Sequence, residues 1–298
     1  GPVREGGEGY AANENIRMAG SSGGAATALA LFAIERAGMG GVLHTAASNT
    51  HAWLNRTVYS TNRDELFAHT GSRYAPASPC DSLCLIEQAE RPSVFIGKPC
   101  DVAAAQSARR IRPELDKKLG LTIAFFCAGV PSVEGNLELL RRQGCEDPES
   151  LKSLRYRGNG WPGMWRAEWT DANGEEHAAE MTYAESWGFL QKYRQWRCYI
   201  CPDHTGEFAD IAVGDPWYRP IEPGEPGKSL IVARTERGRQ LLHDAVEAGY
   251  ITLETKDPSL LPRSQPGLLT TRGGLWGRLL TLRAFGANTP RFIGFPLF

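Results

Sequence analysis

Apolar positions along this chain alternate between two periods. An Ala/Leu-rich run opens after Ser21-Ser-Gly-Gly24 and stops at Gly38, which predicts a helix. Residues 42–46 and 53–60 read as strands. Asn62, with Glu65 three positions on, marks the start of a helix ending at Gly71. Residues 93–97 and 121–126 are continuous apolar runs, the pattern of strands covered on both faces. Helical patterns at 82–90, 101–110 and 133–142 surround them. Beyond Leu151, segments 166–170 and 177–182 flank Asp171-Ala-Asn-Gly174, a hairpin signature. A short helix at 185–193 precedes strands at 211–214 and 229–233, a helix at 237–248 and a strand at 251–255. A helical pattern returns after Pro258 and runs to Phe285. Strands and helices interleave without repeats, so the expected class is α/β, with mixed sheets flanked by helices and the C-terminal tail packed on the body.

Composition narrows the function. Lys and Arg number 33 against 34 Asp and Glu, so there is no basic footprint for nucleic acid. The longest mainly apolar run, residues 25–34, falls well short of the ~20 residues of a membrane span. No signal-peptide core opens the chain, so the cytoplasm is the expected compartment. Gly1-Pro2 has the look of a protease scar. Seven cysteines in a large, unexported chain point to ligation or catalysis and not to disulfides.

Cys198-Tyr-Ile-Cys201 is the most informative of these. Two thiols at this spacing grip one metal centre, and a 4Fe-4S cluster needs four. Cys100 and Cys127 each follow a strand-like apolar run and complete that inventory. A zinc knuckle with His204 as third ligand, or a redox dithiol, fits the same pair. Cys80, Cys84 and Cys145 read as small hydrophobes. Ser21-Ser22-Gly23-Gly24 at a helix start suits either an anion or an ordinary cap. Gly224-Glu-Pro-Gly227-Lys-Ser229 is no P-loop, because position 222 is Glu and a strand follows. Six tryptophans, from Trp161 to Trp217, crowd around the cysteine pair; most read as core, with one or two lining a flat, π-rich pocket.

Taken in order, Ser22-Gly-Gly24 with Thr27, Gly71-Ser72-Arg73-Tyr74, Pro99-Cys100, Cys127-Ala-Gly-Val-Pro131, Cys198-x-x-Cys201-x-Asp203, Ala209-Asp210-Ile211, Gly214-Asp215 and Val232-Ala-Arg-Thr235 resemble the deazaflavin-coenzyme hydrogenase/dehydrogenase β-subunit family of iron–sulfur flavoproteins. The resemblance implies one 4Fe-4S cluster on Cys100, Cys127, Cys198 and Cys201, and FAD with its phosphates near Ser21 to Gly24 and its ring near Gly71 to Tyr74, both cofactors held on loops. It implies a flavin-binding part at 1–92, a cluster- and flavin-binding part at 93–260 and a helical tail at 261–298. Lys98, Arg73 and Lys228 are the cations expected near the flavin, with Asp210 and Asp215 capping loops or binding its polar groups and Tyr74 as a candidate proton donor. Arg73 stands where the family often has Lys, and no cysteine precedes Cys80, so a single cluster is expected. The implied activity is reduction of a small organic substrate or a deazaflavin coenzyme with electrons from ferredoxin or another donor. An electron-transfer subunit of a larger complex is the alternative, then a zinc-stabilised binding domain. A homo-oligomer is compatible with all three.

Overall fold

The computed structural model describes residues 3–222, 224–257 and 259–295. Eleven strands run in chain order: β1 (Glu5–Ala11), β2 (Val42–Ala47), β3 (Asn55–Ser60), β4 (Ser93–Gly97), β5 (Leu119–Phe125), β6 (Leu151–Arg155), β7 (Met164–Thr170), β8 (Glu176–Thr182), β9 (Ile211–Gly214), β10 (Ser229–Ala233) and β11 (Ile251–Thr255). Eight of them form one sheet in the order β11-β1-β10-β9-β5-β4-β2-β3. Its centre, β9-β5-β4-β2, is parallel, and both flanks are antiparallel. The expected mixed α/β architecture is therefore present. Strands from either side of residue 92 interleave in this sheet.

The continuous apolar runs are buried on both faces. Along β4, Val94 and Ile96 pack under the helices Ala25–Glu35 and Glu236–Glu247, while Phe95 points to the opposite layer with Val102, Ala105 and Leu115. A second sheet, β6-β7-β8, encloses a separate aromatic core around Tyr156, Trp165 and Trp169. The hairpin at Asp171–Gly174 joins β7 to β8 with Trp169 opposite His177.

β1 escapes sequence reading because three of its seven residues are glycine, which ordinarily weakens a strand. Here the glycines allow close approach. A Cβ on Gly9 would stand 2.6 Å from the Thr252 carbonyl oxygen of β11. The tail forms three helices, Leu260–Ser264, Pro266–Gly273 and Leu275–Ala284. They bury Leu268, Leu275 and Leu279, the last two against Ile200, as the expected packing on the body requires; residues 296–298 of the expected tail lie outside the described residues. Among the described residues no helix is long and apolar enough to cross a membrane.

Candidate functional site

Three adjacent parallel strands deliver chemistry to one edge. β4 ends before Lys98-Pro99-Cys100, β5 before Phe126-Cys127, and β9 before Asp215. The crevice outside the carboxyl ends of parallel strands is where such sheets bind ligands. A cleft that is partly open to solvent lies there. Ser21, Ser22, Gly24, Thr27, Gly71, Ser72, Arg73, Tyr74, Lys98, Gly214, Asp215 and Cys127 all face it.

The serine–glycine turn forms its lower wall, and most of its hydroxyls are already engaged. Ser22 Oγ donates to the Lys228 carbonyl at 2.5 Å, Ser21 Oγ accepts from Ser72 N–H at 2.6 Å, and Gly23 N–H donates to Ser229 Oγ at 2.9 Å. These bonds tie the turn to β10 and to the Gly71 loop. What remains for a ligand is the N-terminus of the eleven-residue helix Ala25–Glu35, with Gly24 as N-cap and Thr27 one turn in. Gly24 sits at φ +70°, and a Cβ there would come within 2.6 Å of the Ile16 carbonyl oxygen. Gly24→Ala should therefore lower stability by about 1–3 kcal/mol, measurable as a fall in the urea midpoint; an unchanged midpoint would remove the strain argument.

The opposite wall is an ion pair set in aromatics. Arg157, 3% exposed, forks onto Asp215 with bonds of 3.0 and 2.7 Å. Trp161 Nε1 donates to the same carboxylate at 2.8 Å. The guanidinium lies 4.5 Å from the Tyr183 ring centre, and Tyr183 stacks on Trp217 at 5.5 Å with an interplanar angle of 3°. Burial opposes the charge on Arg157, but the Asp215 carboxylate, Tyr74 and Tyr183 together outweigh it and hold the pKa well above its ordinary value. Trp187 packs against Tyr74 at 5.1 Å, and Trp187 and Trp217 both line the cleft, the pair that the π-rich pocket required.

Two histidines that sequence reasoning did not single out also line the cleft. His44 Nε2 bonds Ser60 Oγ at 2.8 Å, and the His44 and His69 rings stand 5.8 Å apart. Burial pushes His44 down from 6.5 to about 4. The unfolded chain therefore takes up a proton below pH 6.5 that the folded chain takes up only near pH 4. That contribution is complete above pH 6.5 and is lost as the pH falls, by about 2 kcal/mol at pH 5. Urea unfolding at pH 7 and pH 5 should show this loss, and His44→Gln should flatten it; an equal loss in the variant would sink the assignment.

The cysteines meet beside the cleft. Cys100 occupies the first turn of the helix Pro99–Ala108, directly behind Pro99, and so lies on a helix start instead of a loop. Cys198 belongs to the 3₁₀ turn Trp196–Ile200, and its Sγ accepts the Val130 N–H at 3.4 Å. Cys127 N–H donates to the His204 carbonyl at 2.9 Å. Burial pushes Cys127 and Cys201 up to about 12 and raises Cys100, and each of the three is raised further by the neighbouring thiols. Among the described residues no three of these sulfurs come within 4.8 Å of one another. His204 points its Nδ1 at the Cys127 carbonyl, 2.9 Å away.

Four expected site residues behave otherwise. Asp210 is buried away from the cleft, where it accepts from Thr122 N–H and Oγ1, Thr235 Oγ1 and Arg237; it locks β5 and β9 to the helix Glu236–Glu247. Gly23 lies behind the cleft wall, against Gly9 and Ser229. Lys228 turns toward buried Glu8, at 3.9 Å. Arg73 does line the cleft, but gives its N–H groups to Asn55 Oδ1 and to the carbonyls of Ala52, Leu54 and Leu154. Lys98 stays at the cleft in a 2.5 Å ion pair with Asp101.

Fold and site together define an α/β protein with a ligand crevice at its parallel strand ends and clustered thiols alongside. Two family models described as coenzyme F420 hydrogenase/dehydrogenase, beta subunit, match the chain: the N-terminal model over residues 8–84 and the C-terminal model over residues 91–259. The chain belongs to the coenzyme F420 hydrogenase/dehydrogenase β-subunit family. It is 26% identical over 270 residues to the coenzyme F420 hydrogenase subunit beta of Methanococcus voltae, covering 87% of this chain and 85% of that one. To the F420-dependent formate dehydrogenase subunit beta of Methanocaldococcus jannaschii it is 24% identical over 249 residues, 84% of this chain but only 61% of that longer one. A chain of the F420-reducing [NiFe] hydrogenase complex from Methanosarcina barkeri shares the fold, with a TM-score of 0.75 at 19% identity over 98% of this chain and 96% of that one.

Proposed function

We propose that this chain is an electron-transfer subunit of a larger oxidoreductase, holding FAD in the cleft and one 4Fe-4S cluster on Cys100, Cys127, Cys198 and Cys201, and exchanging electrons with a deazaflavin-type coenzyme. The observation that carries the reading is the convergence of those four thiols beside a cleft that Cys127 also lines. The relatives' names, hydrogenase and formate dehydrogenase β subunits, favour a subunit over a free-standing reductase. A flavin beside such a cluster exchanges electron pairs for single electrons.

The chain's own residues supply the holding and the tuning. The helix start at Gly24 to Thr27 offers backbone N–H groups to a pyrophosphate. Tyr74, Trp187 and Trp217 offer flat walls for a ring system. The Lys98 and Asp101 pair sits between the flavin cleft and Cys100 and brings a cation to that edge. Val130 N–H toward Cys198 Sγ is the kind of bond that raises a cluster's potential. Anaerobic purification with an absorbance spectrum, flavin extraction and iron analysis tests the reading: one FAD and about four iron atoms per chain are expected, and a colourless protein containing zinc would overturn it.

A further inference from the structure

From Leu260 onward the chain contains five arginines and no acidic residue, whereas residues 1–259 hold 28 Lys and Arg against 34 Asp and Glu. The tail is therefore the net-positive part of this near-neutral protein, through its lack of acidic residues. The helix Leu275–Ala284 carries two apolar stripes. Leu275, Leu279 and Leu282 recur at helical spacing and face Ile200, inside the Cys198–Cys201 turn. Trp276 and Leu280, one position further on and so about 100° around the helix, stay 50% and 51% exposed, with Arg283 next in the same stripe. The exposed surface continues onto the cysteine turn itself. Trp196, two residues before Cys198, is 63% exposed, and Arg278 fastens helix to turn by donating to the Tyr199 carbonyl at 2.9 Å. Arg272 is engaged with Glu207. Arg263, Arg283 and Arg291 are exposed, and among the described residues none of the three forms an ion pair.

We infer that this face, the outer stripe of the tail with Trp196 and the three exposed arginines around it, docks an acidic protein that carries a one-electron centre. The inference rests on the function proposed above and gives it a location. An apolar centre with a charged rim is how specific protein surfaces are built, and unpaired arginines of one sign select a partner of the other and speed its approach. The same chemistry suits an anionic lipid surface. The observation that favours a protein is the continuity with the Cys198 turn, since a partner seated there touches the segment that carries two of the thiols.

The test uses the full holo-chain and a plant-type 2Fe-2S ferredoxin as the acidic probe, with binding followed by calorimetry at low and high salt. Ferredoxin whose iron is replaced by gallium serves in parallel, so that binding is read without electron transfer. Binding that weakens with salt, and weakens at least about tenfold in Arg263→Glu/Arg283→Glu/Arg291→Glu, is expected, with the triple Arg→Lys variant behaving as the unaltered chain and Trp276→Ala weakened as well. Iron content and melting temperature should be the same in all of them. Absence of binding, indifference to the charge reversals, or sedimentation with phosphatidylserine vesicles in place of ferredoxin binding would overturn the inference. A chain that lacks iron but still binds the gallium protein would instead count against the proposed function alone.

Discussion

Anaerobically reconstituted Cys127→Ala should hold far less iron than the roughly four atoms per chain expected of the unaltered protein. Cys127 emerges from β5 between Cys100 on one side and the Cys198–Cys201 turn on the other, and feels the charge of all three. Its loss leaves three of the four proposed thiolate ligands. Cys80 is held at about 11 by burial and donates its S–H to the Asp101 carbonyl at 3.3 Å. Cys145 is buried in the separate aromatic core. His204 directs Nδ1 to a backbone carbonyl and keeps its buried Nε2 unpartnered, so His204→Ala is combined with the variant to remove a nitrogen that could stand in for the sulfur. Alanine fits the Cys127 site, so the melting temperature of the metal-free protein should hardly move. Because burial raises the thiols, assembly must displace protons, and iron uptake should be stronger at pH 8 than at pH 6. The control is Cys145→Ala, which should keep its iron. Full iron content in Cys127→Ala would show that the ligand set is wrong.

The second large effect lies across the cleft. Arg157→Met should cost about 2–4 kcal/mol, because it leaves the half-buried Asp215 carboxylate with the neutral Trp161 N–H as its remaining side-chain donor. Arg157→Lys should recover only part of this: a lysine restores the charge but not the two-pronged fit to the carboxylate or the flat contact with Tyr183. Asp215→Asn should be comparably damaging from the other side. Replacing both, as Arg157→Met/Asp215→Leu, should return much of the stability while FAD occupancy stays low. Urea unfolding of the flavin-free proteins gives the coupling energy, and flavin content after purification gives the second readout. A double variant no more stable than either single one would mean the pair is not the source of the loss.

Much of the sheet was legible in the sequence because burial on both faces demands unbroken apolar runs. The expected strands at 93–97, 211–214 and 229–233 coincide with β4, β9 and β10, and that at 251–255 with the mostly exposed edge strand β11, whose alternation and not its burial marks it. β1 was not legible, since its glycines serve an approach between backbones that no residue-by-residue preference records. Four cysteines and the Ser21–Gly24 turn could be singled out by residue type, and the structure gathers both at one edge of the sheet. Arg157 could not. In a Gly-rich stretch it reads as a solvated charge, and its burial depends on Asp215, 58 positions away. Asp210 was legible in part. It was expected to cap loops or to bind a ligand, and the structure shows the first: Thr122, Thr235 and Arg237 converge on it in the interior. The tail was read as cover for the body, whereas Gln265 bonds the Asp215 carbonyl at 2.9 Å and Leu268 lines the cleft.

The bond from Ser22 to Lys228 spans 206 positions. A ribosome adding about 5–20 residues per second reaches the second partner some 10–40 s after the first. Throughout that interval the serine–glycine turn lacks the strand that fixes it, and the Gln265 contact comes later still. The cleft is thus one of the last parts of the molecule to be completed, and whatever it holds must be taken up by a finished chain and not by a growing one.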